Sequence, residues 1–290
     1  MASILIAGCG DLGSGIALKL VEQGHQVHAI RRSKNEFPAG VTGLVGDITE
    51  LPEVAFPKVD IIYLIMTPQG RTQAAYDAAY LATSQRLNDV YLTMANQDGP
   101  HVFFISSTSV YGSEQDGLCG LDESTPALPS SVTAKVLQQA ENVWLQGELS
   151  HSVVRFSGIY GPGRNRTLDK IAQGQGFSGA NQWTNRIHRD DCVASLVFLA
   201  NVRLAGASLD PLYIGSDQAP VSQWELVNWV AAQMAVKQVI NPELRVSDAI
   251  PNKGKQLSSH ALQNLGYQFI YPSYVQGYQS LLEDYVKPEL

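Results

Sequence analysis

The sequence predicts an α/β fold, a Rossmann-type, doubly wound parallel sheet with a smaller C-terminal substrate-binding part. Three observations carry this. Short apolar runs alternate with longer amphipathic ones over some 155 residues, the pattern of strands joined by crossover helices. A glycine-rich hexapeptide stands between the first apolar run and the first amphipathic one, where a phosphate-binding turn belongs. After residue 160 the alternation fades and Gly, Asn and Gln accumulate.

Residues 3–7 read as a buried strand. Residues 11–23 read as a helix, with Leu12, Ile16, Leu20 and Val21 at helical spacing and Gly24 as its stop. Further strands are expected at 26–30, 43–45, 60–66, 101–105 and 152–156, and helices at 73–96 and 132–147. The run at 60–66 is apolar after Asp60, as befits a central parallel strand covered on both faces. The segment 161–185, with Gly161, Gly163, Gly174, Gly176 and Gly179, reads as irregular chain near a ligand. A helix with an acidic start is expected at 190–200, Asp190 and Asp191 serving as its caps. Another is expected at 222–234, where Ser222 and Glu225 have capping-box spacing. The domains expected are a dinucleotide-binding Rossmann domain at 1–160 and a mainly substrate-binding part at 161–290. A segment near 187–215 should return to the first.

Composition narrows the function classes. Hydrophobic residues are 44% and charged residues 16%, which excludes a disordered, solvating chain. Twenty Lys plus Arg against 27 Asp plus Glu leave a net charge of −7. That balance argues against a nucleic-acid partner held by phosphate neutralisation, though not against a local basic pocket for one small anion. Cys9, Cys119 and Cys192 are odd in number and form no CxxC pair, which points to a reducing, cytoplasmic setting. The apolar N-terminus lacks a basic n-region, so it is not read as a signal peptide. Runs such as 61–66 and 193–200 are too short to span a bilayer, and no membrane partner is expected.

The hexapeptide Gly8-Cys-Gly-Asp-Leu-Gly13 has the form G-x-G-x-x-G, a weak signal alone and a better one between a strand and a helix. Gly8 and Gly10 would let the backbone approach a pyrophosphate, and Gly13 would let helix and sheet pack. Asp11, Leu12 and Gly13 would bring the helix N-terminus to the phosphates. The bland alternative is a plain tight turn. At the end of the second strand, where an NAD site carries an acid, stand Arg31 and Arg32. Two guanidiniums suit the 2′-phosphate of NADP, with NAD as the alternative cofactor; they could also be solvated surface arginines.

Several segments in order resemble the extended short-chain dehydrogenase/reductases, the NAD-dependent epimerase/dehydratase family. They are 8–13, Gly46-Asp47-Ile48, the SSTSVYG of 106–112 with Ile105 before it, RFSGIYGPG at 155–163 and IHRDDCVA at 187–194. The LGYQFIYPSYVQGY segment near the C-terminus is similar to the atypical, YeeZ-like branch. The resemblance implies that Asp47 contacts the adenine amino group and that Ser107 hydrogen-bonds the substrate oxygen. It also implies that Lys135 holds the nicotinamide ribose and lowers the pKa of a tyrosine four residues earlier. That position is Ser131, whose alkyl hydroxyl is a poor proton donor compared with a phenol. Tyr111, Tyr160 and His188 are substitute acids, each with a bland alternative as a packing or helix-entry residue. Trp183 could line a substrate pocket or anchor its loop. In the resembled family the helices at 73–96 and 132–147 pair with their mates, which implies a homodimer. Ala74, Ala75, Ala78, Ala79 and Ala82 offer a small-residue face for this, or for packing on the sheet.

The expected function is an NAD(P)-dependent oxidoreductase, epimerase or dehydratase acting on a carbonyl or hydroxyl of a small molecule, with a nucleotide sugar as the family-level substrate. The alternative is a non-catalytic NADP-binding sensor or regulatory module.

Overall fold

The structure is a computed structural model that describes residues 1–33, 36–94, 99–174, 177, 179–236, 240, 249–251 and 253–285. Two compact units divide the chain. The first comprises 1–111, 129–155 and 192–213; the second comprises 112–128, 156–191 and 214–290. The chain crosses between them more often than the sequence indicates: the excursion at 112–128 carries no compositional mark.

The first unit is organised on a seven-stranded sheet of order β10-β6-β5-β4-β1-β2-β3. Its strands are β1 (Ser3–Ala7), β2 (Gln26–Arg31), β3 (Val41–Val45), β4 (Ile61–Leu64), β5 (His101–Ser107), β6 (His151–Phe156) and β10 (Leu212–Gly215). The pairs β1·β2, β2·β3, β1·β4 and β4·β5 are parallel. Ile4, Leu5, Ile6 and the whole of β4 are fully buried, each large side chain contributing about 1.5–3 kcal/mol. Helix α1 (Asp11–Glu22) turns Leu12, Ile16 and Leu20 inward. The order reverses between β1 and β4, which opens a crevice at the carboxyl ends of those strands.

The helix expected at 73–96 is not continuous. Thr72 caps α2 (Gln73–Tyr76) by accepting the Ala75 amide at 3.2 Å; a π turn (Asp77–Leu81) follows and α3 (Ala82–Met94) completes it. Residues 95 and 96, like Gly176, lie outside the described residues. Helix α4 (Val132–Leu145) packs beside α3, with the buried Trp144 Nε1 donating to Ser84 Oγ at 3.2 Å. No helix among the described residues is long and apolar enough to cross a membrane.

The second unit has its own core. Helices α5 (Arg166–Ala172), α7 (Gln223–Gln233) and α9 (Tyr274–Glu283) bury Leu168, Ile171, Leu226, Val227, Val230, Tyr274 and Tyr278 with Tyr160. Ser222 caps α7, accepting the Glu225 amide at 3.2 Å as its spacing predicted. Two small ladders complete the unit, β7 (Gly158–Tyr160) with β9 (Arg186–His188) and β8 (Trp183–Thr184) with β11 (Val221–Ser222). The excursion 112–128 is tied in by Gly117 N to Gly254 O at 2.6 Å and Lys255 Nζ to Gly112 O at 2.7 Å. Helices α6 (Arg189–Leu204) and α8 (His260–Asn264) are the remaining ones described.

The acids at the start of α6 do not cap it as expected. Asp191 is fully buried and accepts Tyr267 Oη and the amides of Ile270 and Tyr271 at 2.7–2.9 Å. Asp190 instead takes the Arg189 guanidinium at 2.7 Å. Sequence alone sees the helix start, and the competing donors come from a segment some eighty residues on.

Candidate functional site

A cavity of about 480 Å³ lies at the carboxyl ends of β1 to β4, lined by Gly8, Cys9, Gly10, Arg31, Arg32, Asp47 and the 65–69 turn, among others. The three glycines divide their tasks. Gly8 has φ +103°, and a Cβ there would stand 2.0 Å from the Ile65 carbonyl oxygen. A Cβ on Gly13 would stand 2.5 Å from the Gly8 oxygen. Gly10 is different: a Cβ there meets nothing within 4 Å, so it would fill only the space a ligand needs. Gly10 is also the N-cap of α1 and brings no side-chain cap, which leaves the first-turn amides to an anion. Asp11, Leu12 and Gly13 form that first turn but do not line the cavity; Leu12 is buried, so only its backbone can serve. These features fit the diphosphate of a dinucleotide.

Arg31 and Arg32 both line the cavity. Arg31 lies over the Phe37 ring at 4.6 Å, with Nη2 3.7 Å from Cys9 Sγ and its buried Nε unpartnered among the described residues. Arg32 is exposed. Asp47 Oδ1 accepts both the amide and the hydroxyl of Thr49, at 3.0 and 2.7 Å. The Thr49 hydroxyl and then its amide, with the Arg32 charge, hold this carboxyl below its usual range against partial burial. Sequence reasoning missed the opposite wall. Ala78, Ala79, Ala82 and Thr83 line the cavity, so three of the alanines read as a helix-pairing face border this crevice. Ala78 and Ala79 belong to the π turn, and such bulges cluster at functional sites.

At the end of β5, Ser107 is half-buried and caps the short turn at 108–110, its Oγ accepting the Ser109 amide at 3.2 Å. Ser131 is the N-cap of α4, its Oγ accepting the Ala134 amide at 3.2 Å. Lys135 lies on the exposed side of α4 with Gln139 and Asn142, whereas Ala134, Leu137, Ala140, Glu141 and Trp144 face inward. Among the described residues no hydrogen bond or ion pair joins Lys135 to Ser107. Tyr111 is buried, its hydroxyl accepting Arg155 Nη1 at 2.9 Å.

Tyr160 belongs to the second unit. Its ring is 2% exposed, stacked on Tyr278 at 4.7 Å and edge-on to His188 at 5.3 Å. A Cβ at Gly277 would overlap its hydroxyl. Burial pushes this phenol well above its ordinary pKa, the wrong direction for a proton donor near neutrality. His188 accepts the Asp190 amide on Nδ1 at 3.2 Å, so its proton sits on Nε2; burial lowers its pKa. Trp183 pairs by backbone with Val221–Ser222 in the β8·β11 ladder and anchors its loop.

The second unit holds a cavity of about 830 Å³. Four cations line it, Arg164, Arg166, Lys170 and Arg186, against one acid, Asp169. Asp169 Oδ1 already accepts the Tyr285 hydroxyl at 2.8 Å. Among the described residues there is no cluster of metal-ligand side chains.

The model of the NAD dependent epimerase/dehydratase family matches residues 4–208. Among solved structures, a putative NAD-dependent epimerase/dehydratase from Methylobacillus flagellatus is similar, at 35% identity, with 98% of each chain covered and TM-score 0.81. UDP-glucuronic acid 4-epimerase from Bacillus cereus, in complex with NAD, is 16% identical over 98% of this chain and 100% of that one, with TM-score 0.77. MoeE5 in complex with UDP-glucose and NAD is 21% identical over 97% of each chain, also with TM-score 0.77. These last two are likenesses of fold. No curated protein matches. A glycine cradle at the sheet's switch point and a family match over 4–208 of the 290 residues lead to one conclusion: the chain belongs to the NAD-dependent epimerase/dehydratase family.

Proposed function

We propose that the protein is an NADP-dependent oxidoreductase, epimerase or dehydratase acting on the sugar of a nucleotide-linked substrate. The observation that carries this reading is the cation-lined cavity of about 830 Å³ in a chain of net charge −7. Four cations around one hydrogen-bonded acid suit a diphosphate, which they can hold by charge-assisted bonds. UDP-glucose is bound by MoeE5, and the same substrate class is proposed for this chain.

The nicotinamide supplies hydride exchange with a substrate carbon when the cofactor is bound. The chain's residues do the rest. Gly8, Gly10 and the α1 amides take the pyrophosphate, and Arg31 and Arg32 take the 2′-phosphate. NAD is the coarser alternative. Ser107 polarises the substrate oxygen. Ser131, a capping serine, has no useful acidity to contribute, and Lys135 holds the nicotinamide ribose. A homodimer in the cytoplasm completes the proposal, supported by the family resemblance and by cysteines that form no disulfide among the described residues.

The test is a titration of purified protein with NADPH and NADH, then with UDP-glucose and UDP-glucuronic acid, followed by a turnover assay. Tight NADPH binding with UDP-sugar binding and turnover supports the reading. Cofactor binding without UDP-sugar binding or turnover would overturn it in favour of a non-catalytic NADP-binding module. Light scattering at micromolar concentration reads the oligomeric state, and a monomer would remove the dimer.

A further inference from the structure

Both ends of the Ser107 turn are tied to one buried ion pair. Ser106 Oγ donates to Glu141 Oε1 at 2.5 Å, and Arg155 Nε donates to the same oxygen at 2.9 Å. Arg155 Nη2 donates to Glu141 Oε2 at 2.6 Å, and Nη1 donates to Tyr111 Oη at 2.9 Å. The guanidinium also lies 5.1 Å from the Tyr111 ring centroid. The side chains of Glu141 and Arg155 are 0% and 4% exposed.

Stability alone is a poor reason for this arrangement. Withdrawing two charges from water is costly, and apolar residues of the same volume often serve a fold as well or better. What a planar fork provides is orientation: its donors point in fixed directions, and Glu141 must lie in their plane. One donor of the fork leads to Tyr111, and the Glu141 oxygen that Nε holds accepts from Ser106; these two residues bracket Ser107 and the turn at 108–110. Glu141 stands on α4 and Arg155 on β6. The pair therefore fastens the turn to a helix and a strand at once.

We propose that Glu141 and Arg155 are positioning residues that fix the Ser107 turn and so aim its hydroxyl at the substrate. The aim at a substrate rests on the function proposed above; the fixing of the turn does not.

Two mild variants test it. Ser106→Ala removes the serine's bond and leaves the ion pair; Tyr111→Phe removes the phenol's bond and keeps the ring. The amides of Ser109 and Tyr111 report on the turn, being bonded to Ser107 Oγ and Thr108 O at 3.2 and 3.1 Å. Hydrogen exchange at these two amides should quicken about tenfold in each variant, the loss of one bond to a charged network. Exchange in β1 to β4 should be unchanged, and Tm should move by no more than about 3 °C. With UDP-glucose as the probe, kcat should fall about tenfold at constant KM. Ser106→Thr should restore both readouts. Unchanged exchange at Ser109 and Tyr111 overturns the proposal. Acceleration spread evenly across the sheet with a matching fall in Tm also overturns it, because that marks a purely structural pair. If exchange quickens locally while even the unmodified protein turns over no UDP-sugar, the positioning of the turn stands and the proposed function fails.

Discussion

The two cavities are built from opposite materials. The one in the first unit is shaped by backbone and absence: a side chain on Gly8 would strike main chain, one on Gly10 would enter open space, and Ala78, Ala79 and Ala82 line the cavity with small side chains. The one in the second unit is shaped by presence, four long cations projecting around one hydrogen-bonded acid. At Gly8 and Gly13 the cradle tolerates almost no substitution, because a single methyl group collides with main chain. A cationic pocket degrades gradually, because its charges share one ligand and each is only partly desolvated. The comparison therefore predicts sharp effects in the first unit and graded ones in the second.

The largest effect is expected at the glycines, and it separates two kinds of requirement. Gly8→Ala places a Cβ 2.0 Å from the Ile65 oxygen at φ +103°. It should lower stability by about 1–3 kcal/mol, the cost of a strained backbone, and abolish cofactor binding. Gly10→Ala meets nothing within 4 Å, so its melting temperature should match the unmodified protein while NADPH affinity falls steeply. Calorimetry with a cofactor titration checks both. Equal melting behaviour of the two variants would break the distinction between a glycine the fold needs and one the ligand needs.

Next in size is the double variant Arg31→Ala/Arg32→Ala. Charge-assisted bonds are worth about 1.5–3 kcal/mol each. Losing both should therefore erase an NADPH preference of about a hundredfold or more while NADH affinity changes little. Fluorescence titration with the two cofactors reads this, and an unmodified protein with equal affinity for both would refute it at once.

In the second unit, Arg166→Gln/Lys170→Gln should weaken UDP binding by about tenfold, since partly exposed pairs contribute up to about 1 kcal/mol each. NADPH affinity should not move, and the loss should shrink as salt rises. A comparable loss in NADPH affinity would refute the assignment of these cations to the substrate.

The smallest effect is in stability against pH, where the units carry opposite slopes. Burial pushes Asp217, in the second unit, up to about 7, with the neighbouring Asp191 adding to the rise and the Ala219 amide and Arg186 opposing it. Its folded pKa exceeds the unfolded one, so its stability contribution is full below about pH 4 and is lost as pH rises through 7. His101, in the first unit, is pushed down to about 3 by burial, with Arg203 and His151 adding to the fall. Its contribution is present above about pH 6.5 and is lost as pH falls toward 3. Asp217→Asn should therefore raise stability at pH 8, by on the order of 2 kcal/mol, and lose that gain by pH 4. Chemical denaturation at the two pH values measures the difference.

The alternation of apolar runs determined the sheet and its helices, and the spacing of Gly8, Gly10 and Gly13 between strand and helix determined the glycine cradle. These features are local: a strand's burial, a helix's stripe and a glycine's freedom are written within a few residues of one another. The Ser222 cap was legible for the same reason. What the tertiary structure decided is wherever distant segments compete for one group. Asp191 has the spacing of a helix cap, yet it goes to Tyr267, Ile270 and Tyr271, which no local pattern could announce. The alanines of 74–82 have the spacing of a packing face, yet Ala78, Ala79 and Ala82 line the crevice, along a helix that a π turn interrupts. The spacing of Ser131 and Lys135 follows a family motif, and the structure adds that Ser131 caps α4 and that Lys135 is exposed on it. The Glu141–Arg155 pair gave no sequence signal at all, because an acid on a helix and an arginine on a strand become a pair only when burial removes water from both.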